Sequence, residues 1–424
     1  MSRNEYKVEG GGIGIGMRGI YKVQVINSTT KEITLDCDWQ KNLILNGGMD
    51  AVAVAVLGNL SYYGIIGTGS RPNSITSSTS TITQSGAGVY LYNTSGLPNF
   101  TSSYSTYTAS VNVGDVLQYS NNSQSTVTSI TDGLNLQVSP TYSIDVGNAQ
   151  TFTIWKASQT DLEGESKRSA TFLTGVGNCG TTTSGSTKKF RRSYDFSTEI
   201  SSSTYTEIGV SWTVTKAVKS TFSRVVLPSP VTVGIGFKLR LIYDLFLSFT
   251  PNAPQYFTAS VSGWPVSPST TTIATQSIQN FNIANVSTDG IADNDAFCLD
   301  PVAIHGYNGS LFVVFVSDTK TPLAAFGSSI YRNALNSINN GNGSIISYIP
   351  GSYTIYKTYT LDLNTGNSTN INSMGFGMYN GSSGNYPNDT AYQTMTVVFN
   401  QPQTKLNTQT LTLVWKWTWN RILQ

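Results

Sequence analysis

The segment Leu239-Arg240-Leu241-Ile242-Tyr243-Asp244-Leu245-Phe246-Leu247-Ser248-Phe249 carries an apolar residue at every odd position. Between them stand Arg240, Ile242, Asp244, Phe246 and Ser248, a mixed set. The chain ends on the same rhythm. Leu411, Leu413, Trp415, Trp417 and Trp419 alternate with Thr412, Val414, Lys416 and Thr418. A helix would scatter the three tryptophans around its axis, whereas a strand sets alternate residues on one face. Period-two alternation with one greasy face is the mark of a half-buried strand, and these two segments set the expectation of an all-β fold. The tail reads as a core or interface strand and not as a frayed end.

Working outward, Ile208, Val210, Trp212 and Val214 alternate with Gly209, Ser211 and Thr213. Further strands are expected at Tyr21–Ile26, Lys31–Trp39, Thr151–Lys156, Lys188–Phe196, Thr221–Leu227, Leu311–Ser317, Tyr353–Leu363 and Gln393–Phe399. Turn residues separate them: Asn46-Gly47-Gly48, Pro228-Ser229-Pro230, Asn339-Asn340-Gly341 and Asn380-Gly381. Glycine and asparagine tolerate positive φ and proline fixes φ, so such clusters bend the chain. One short helix candidate, Met49–Leu57, reads equally as a buried strand.

Residues 111–156 read as a module of their own. Val127–Ile130 and Leu134–Val138 flank Thr131-Asp132-Gly133, a hairpin signal. Short, evenly spaced strands suggest a small antiparallel barrel inserted in a larger sandwich. The expected architecture is therefore all-β: antiparallel β-sandwich domains, a small inserted barrel-like module and little helix. Its parts are a flexible glycine-rich N-terminal arm over residues 1–20, a main sandwich from 21–110 and 157–250, the module at 111–156, and a second β-rich region over 251–424 that ends in the tryptophan strand. Ser77-Ser78-Thr79-Ser80-Thr81 reads as a low-complexity loop or linker.

Composition narrows the function. Charged residues make up 11% of the 424-residue chain, against roughly 25% in ordinary domains. A net charge of +2 with 39% hydrophobic residues does not fit disorder, which pairs low hydrophobicity with high charge. It also gives weak support to nucleic-acid binding. One histidine excludes a His-rich metal centre. No run approaches the roughly 18 apolar residues of a membrane span, and Met1-Ser2-Arg3-Asn4-Glu5 opens no signal peptide. Cys37, Cys179 and Cys298 are odd in number and far apart, which suits reduced thiols in a chain made in a cytoplasm. Asn-x-Ser/Thr sequons occur about as often as the abundance of these residues produces by chance, and carry no glycosylation inference.

Several constellations reach toward chemistry and stop short. Gly14-Ile15-Gly16-Met17-Arg18-Gly19 matches GxGxxG, but a strand-like Ile20-Tyr21-Lys22-Val23 follows where a dinucleotide site needs a helix. His305, with Asp295, Asp300 and Ser310 nearby, lacks a GxSxG elbow. Asp289, Asp293 and Asp295 could offer oxygens to Ca²⁺, in a spacing unlike an EF-hand; the sequence leaves that point open. Asp161, Glu163 and Glu165 suggest paired glycosidase carboxylates, but their alternation with Leu162 and Gly164 fits an exposed charged segment. Lys188, Lys189, Arg191 and Arg192, interleaved with Phe190, Tyr194 and Phe196, form a small footprint for single-stranded nucleic acid, and read rather as a solvated or interface strand. No catalytic, cofactor-binding or metal residue is assigned, and no cofactor is expected.

Scarce charge, abundant Ser, Thr, Asn, Gly and Tyr and no catalytic cluster suit a virion component. Trp39-Gln40-Lys41-Asn42-Leu43-Ile44-Leu45-Asn46-Gly47-Gly48-Met49-Asp50 followed by Gly64-Ile65-Ile66-Gly67-Thr68-Gly69-Ser70-Arg71-Pro72 resembles the opening of bacteriophage tail-associated structural proteins, where a KNLI…G segment precedes a GTG…P turn. Leu227-Pro228-Ser229-Pro230-Val231-Thr232-Val233, with the strand Leu239–Phe249, looks like the core of the same group. The resemblance covers about the first 75 residues and about Arg191–Thr250. It implies a non-enzymatic role in the tail tip, collar or fibre, located in the virion after assembly in the host cytoplasm. Its implied partners are copies of itself and other virion proteins, with no nucleic acid and no membrane insertion. That group shares no catalytic residues, so none is carried over. The alternative is a receptor- or carbohydrate-binding virion protein, in which Trp264, Tyr256, Tyr379 and Tyr386 would stack on sugars of a host-surface glycan.

Overall fold

A computed structural model describes residues 4–53, 61–76, 79–84, 89–95, 100–101, 111–133, 135–139, 149–150, 152–170, 172–173, 179–184, 187–217, 219–251, 258–261, 274–277, 312–317, 334–339, 344–345, 348–361, 368–379, 391–407 and 409–423. The strand Phe237–Pro251 buries Leu239, Leu241, Tyr243, Leu245 and Leu247 completely. Arg240, Ile242, Phe246 and Ser248, on its other face, stay partly exposed. The alternation in the sequence is thus the alternation of the core.

This strand lies within a ten-stranded sheet. The order is Cys179–Ser184, Thr187–Asp195, Phe237–Pro251, Asn4–Asn27, Gln409–Arg421, Thr354–Leu361 and Ser344–Ile345, with Ile33–Asp36, Gln40–Lys41 and Thr258–Val261 also paired to Asn4–Asn27. A five-stranded sheet faces it, in the order Glu165–Arg168, Tyr63–Gly67, Ser203–Ser211, Thr221–Val233 and Leu43–Ile44. Tyrosines cross between the two layers. Tyr21 Oη donates to the Ser223 carbonyl at 3.1 Å, and Tyr194 Oη donates to the Ser61 carbonyl. Burial pushes the phenols of Tyr21, Tyr194 and Tyr243 well above their ordinary pKa, so all three serve as neutral hydroxyls. The chain is all-β, and among the described residues every strand pair but one is antiparallel.

The expected N-terminal arm is instead the strand Asn4–Asn27 at the centre of the larger sheet. It pairs antiparallel with Phe237–Pro251 over Ile13–Asn27 and parallel with Gln409–Arg421 over Asn4–Met17. Its glycines read as flexible because glycine loses the most entropy on ordering. Ladders to segments more than 200 residues away hold the strand extended, on both edges over Ile13–Met17 and through the tail strand alone at Gly11 and Gly12. This is also the one parallel pair, and it unites the two ends of the described chain. Trp419 of the tail strand is buried. It stacks on Tyr348 with centroids 5.6 Å apart and donates its indole N–H to the Met49 carbonyl at 2.7 Å.

Strands drawn from residues 74 to 155 form a sheet of their own, a wider span than the module expected at 111–156. Eight strands lie in the order Ala149–Gln150, Thr79–Gln84, Val89–Ser95, Asn135–Ser139, Gln124–Ile130, Val116–Tyr119, Phe152–Trp155 and Ser74–Thr76. The ends of this order adjoin, since Ala149–Gln150 precedes Phe152–Trp155 in the chain and Ser74–Thr76 precedes Thr79–Gln84, with Ser80 opposite Gln150 and Thr76 opposite Thr153 in registers one residue apart. Closure leaves no open edge. Leu117, Val127, Leu136, Phe152 and Ile154 fill the interior. The Thr131–Gly133 hairpin joins Gln124–Ile130 to Asn135–Ser139 as expected. The serine-threonine run read as a linker supplies Thr79–Gln84, a strand of this barrel. Polar composition misled there, since a strand partnered on both edges needs no apolar alternation to be specified. The module leaves and re-enters the sandwich between neighbours, for Tyr63–Gly67 and Glu165–Arg168 pair at Gly67↔Glu165 and Ile65↔Arg168.

Two other turn signals resolve differently. Asn46-Gly47-Gly48 opens the helix Asn46–Ala51, the one α-helix among the described residues. A Cβ on Gly48 would fall 2.4 Å from the Phe222 carbonyl, so the glycine serves close packing against the sheet. Pro228-Ser229-Pro230 lies inside Thr221–Val233. A register shift between Tyr205 and Glu207 lets the pairing step past the prolines, which cannot donate to a ladder. The residues beyond 251 divide. Thr258–Val261, Ser344–Ile345, Thr354–Leu361 and Gln409–Arg421 join the large sheet, while Ala274–Ser277, Ala391–Lys405, Ser368–Tyr379, Phe312–Ser317 and Ala334–Asn339 make a separate five-stranded one. No described helix is long and apolar enough to cross a membrane.

Removing a buried aromatic leaves a cavity and costs roughly 3–5 kcal/mol. Trp419→Ala should lower unfolding free energy by about that amount in urea titrations, and Trp419→Phe by less, since the stacking on Tyr348 survives.

Candidate functional site

Charge is scarce in this chain, so its placement is informative. Two ion pairs have side chains with no solvent exposure at either partner: Arg224–Glu207 and Lys156–Asp115. Both sit where the barrel meets the sandwich. Glu207, on the central strand Ser203–Ser211, receives Arg224 Nη2 at 3.1 Å on Oε2. It also accepts the backbone N–H groups of Gly69 and Gly164 on Oε1, at 3.1 and 2.6 Å, and of Glu163 on Oε2 at 3.1 Å. A Cβ on Gly69 would lie 2.3 Å from Glu207 Oε1. The Gly67-Thr68-Gly69 turn is thus the shape that lets the backbone close on a buried carboxylate. Arg224 extends its other donors to Gln159 Oε1 and the Arg71 carbonyl.

Asp115 repeats the arrangement from the barrel side. It pairs with Lys156 and accepts Ser158 Oγ at 2.6 Å, Ser158 N at 3.3 Å and Asn112 N at 2.9 Å. Between them the two carboxylates hold the segment 157–164 from behind. In front of that segment opens a cleft of about 550 Å³, lined by the loop, by Asn112 and Val113 of the barrel, and by Arg71 and Lys216. Nearby, Asn46 ties three parts of the fold together. Its Nδ2 donates to the Gly114 carbonyl at 2.7 Å, and its Oδ1 accepts Tyr353 Oη at 3.1 Å and Arg421 Nη2.

The acids flagged in the sequence are committed to structure. Asp161 accepts Lys219 N and Thr221 Oγ1. Glu163 Oε2 accepts the N–H groups of Ser70 and Arg71 at 2.7 and 2.8 Å. Glu165 makes a two-pronged pair with Arg168. The three carboxylates point to three different partners and form no facing pair. Strand alternation likewise divides the basic cluster. Arg191 forks onto Asp244 at 2.7 Å through each nitrogen, and Lys189 stands 4.0 Å from the same carboxylate. Arg192 is buried, with its guanidinium 4.0 Å from the centre of the Phe172 ring and 4.8 Å from that of Phe190. Gly14–Gly19 belongs to the central strand, with no helix following it. His305, the aspartates at 289, 293, 295 and 300, Ser310, Trp264, Tyr256 and Tyr386 lie outside the described residues; Tyr379 ends the strand Ser368–Tyr379. Among the described residues no cluster of three His, Cys, Asp or Glu side chains is placed to hold a metal. Cys37 is a free thiol, raised in pKa by burial and by Asp36 and Asp38.

A second feature lies at the far end of the strand Thr221–Val233. Three loops are laced by backbone bonds: Ser28 N to the Gly236 carbonyl at 3.0 Å, Gly236 N to the Glu199 carbonyl at 2.9 Å, and Asn27 N to the Glu32 carbonyl at 2.9 Å. Next to these bonded residues stand Ile235, Ile200 and Ile33, exposed at 69%, 91% and 47%. Beneath them Glu199 accepts Lys167 Nζ at 2.6 Å, Tyr205 Oη at 2.6 Å and Ser203 Oγ at 3.1 Å. Leu35, on the strand Ile33–Asp36, and Trp39, beyond its end, are also exposed.

Sequence reading missed Glu207, Arg224, Asp115 and Lys156, because a lone charge within a strand reads as solvent-facing. The usable signal was the glycine-threonine-glycine turn, which implied a close backbone approach to something.

Breaking a buried pair by removing one partner costs about 3–5 kcal/mol, because a charge is left uncompensated. Arg224→Met should therefore destabilise by that amount in urea unfolding, and Glu207→Gln in the same chain should recover part of the loss. Burial raises the pKa of Glu199 and Asp195, but the hydrogen bonds and charges of Lys167 and Tyr205 at Glu199, and of Arg240 and Lys238 at Asp195, outweigh it and hold both below the usual carboxylate range. A depressed folded pKa gives stability that is present in full above the unfolded value and is lost as pH falls through the folded one. Melting temperature should thus drop as pH falls below the ordinary carboxylate range, and Glu199→Gln should flatten part of that slope. Comparison of the chain with known protein families, curated proteins and solved structures returns no match.

Proposed function

We propose that this chain is a non-enzymatic structural component of a bacteriophage virion, tail-associated, that works by packing against copies of itself and against other virion proteins. The rim formed by Ile33, Ile200 and Ile235 carries the reading. A single exposed isoleucine is ordinary, whereas a group of them held on laced loops is a contact surface awaiting cover. Two such rims facing one another would bury six isoleucines, worth roughly 6–12 kcal/mol gross at about 1.5–3 kcal/mol per fully exposed side chain, since they stand 47–91% exposed. Association costs about 4–15 kcal/mol, so the rim is of the right size to drive assembly with modest help from Leu35 and Trp39. Low charge suits the reading too, since few ions need be stripped of water when large surfaces meet.

Native mass spectrometry of the purified chain tests the proposal. A defined homo-oligomer is expected, and Ile200→Asp with Ile235→Asp should raise its dissociation constant at least tenfold without altering the melting temperature of the protomer. A chain that stays monomeric at tens of micromolar, and that fails to join particles, would defeat it.

A further inference from the structure

The outer face of the large sheet gathers positive charge in a chain that is otherwise sparing of it. Strand registers set its side chains in rows. Lys189, Phe246 and Arg18 stand abreast on three neighbouring strands, and Arg191, Asp244, Ile20 and Lys41 stand abreast in the next row. Four cations thus surround one carboxylate, a local excess of +3, where the whole chain carries a net charge of +2. Around these rows the charges balance, with Lys22, Lys238 and Arg240 against Asp36, Asp38 and Asp195. The carboxylate in the middle lies underneath. The Asp244 side chain is 3% exposed, while those of Arg191 and Lys189 beside it are 30% and 31% exposed. Pairing there hides the anion and leaves positive charge toward solvent. Among the described residues neither Arg18 nor Lys41 has a carboxylate partner. The Arg18 guanidinium lies 4.3 Å from the centre of the Phe246 ring, and Lys41 is exposed. Like charges crowded on one face repel, so stability alone does not account for the arrangement.

We infer that this face binds an acidic surface on another protein. Uncompensated charge open to solvent attracts its opposite and fixes the register of the contact. The Phe246 ring holds the Arg18 guanidinium in place with its N–H groups free, and a guanidinium takes a carboxylate through two parallel N–H bonds. The face shows that contact within itself, in the two 2.7 Å bonds from Arg191 to Asp244. Single-stranded nucleic acid is held by bases stacked on open aromatic rings. Both rings described on this face already carry a guanidinium, Phe246 that of Arg18 and Trp39 that of Arg191 at 5.3 Å. Ile20 and Ile242, partly exposed among the cations, suit instead the mixed side chains of a protein interface. A second copy does not supply the complement, since most of the described acids of this chain already stand in its own ion pairs. The face is distinct from the exposed isoleucine rim, and the inference stands whether or not that rim mediates assembly.

Fluorescence anisotropy with the full chain tests it, using labelled poly-L-glutamate as the acidic polypeptide and labelled oligothymidylate as the nucleic acid. Poly-L-glutamate should bind, with an affinity that falls roughly tenfold or more between about 50 and 300 mM salt as screening shortens the reach of charge. Arg18→Glu combined with Lys41→Glu should weaken binding by about tenfold or more. Lys41→Glu alone changes an exposed, unpartnered side chain. It should weaken binding by about threefold with no change in melting temperature, and serves as the readout should Arg18→Glu fold poorly. Lys216→Glu, the same change at an exposed lysine elsewhere, should leave binding within about twofold. No binding of poly-L-glutamate, an equal loss with Lys216→Glu, or tighter binding of oligothymidylate that the Arg18 and Lys41 substitutions abolish would each overturn the inference.

Discussion

The carboxylate of Glu207 is the point at which the architecture closes. It sits fully buried on the central strand of the smaller sheet and gathers Arg224 with three backbone N–H groups from two loops. One loop leads out to the barrel and the other leads back. A charge in that position, stripped of water, is tolerable only when every lone pair is answered. The chain must therefore bring residues 69, 163, 164 and 224 to one place. The barrel cannot drift relative to the sandwich without breaking this set, while Asp115, paired with Lys156, holds the start of the return loop at Ser158 from the barrel side.

A different constraint governs the large sheet. Its central strand, Asn4–Asn27, is rich in glycine and would not hold an extended form alone. It is fixed by Phe237–Pro251 on one edge and by Gln409–Arg421 on the other. The tail in turn is pinned through Trp419 to the helix Asn46–Ala51, and that helix packs on Phe222 of the opposing sheet. First and last strands thus depend on one another, and the two layers depend on both. Such a protomer is rigid at its centre and presents its variety at the margins, in the isoleucine rim and in the polar cleft.

Much of the fold was legible because strand alternation is local. Leu239 to Leu247 told which face is buried, and the structure buries that face. Thr131-Asp132-Gly133 told where a hairpin turns. Cues failed where a residue type has two uses. Gly10 to Gly12 signal flexibility in isolation, yet Gly11 and Gly12 pair with Trp415 and Lys416 of the tail strand and stay extended. Asn46-Gly47-Gly48 signals a turn, yet glycine is needed there because Phe222 leaves no room for a side chain. The acids at 161, 163 and 165 looked like a set, while in space they turn to separate partners. The residues that organise the junction gave almost no sign, since a single glutamate or arginine in a strand looks alike whether it meets water or its counter-ion.

The sequence by itself determined that this chain makes sheets and which residues alternate inward. Those properties repeat every two residues and need no distant partner. Only the tertiary structure decided that the N-terminus is a core strand, that the module closes into a barrel beginning at residue 74, and that four buried charges lock it in place. Each of these is a contact between segments tens to hundreds of residues apart. Its energy exists only after the chain has closed the loop between them, so nothing in the local pattern can announce it.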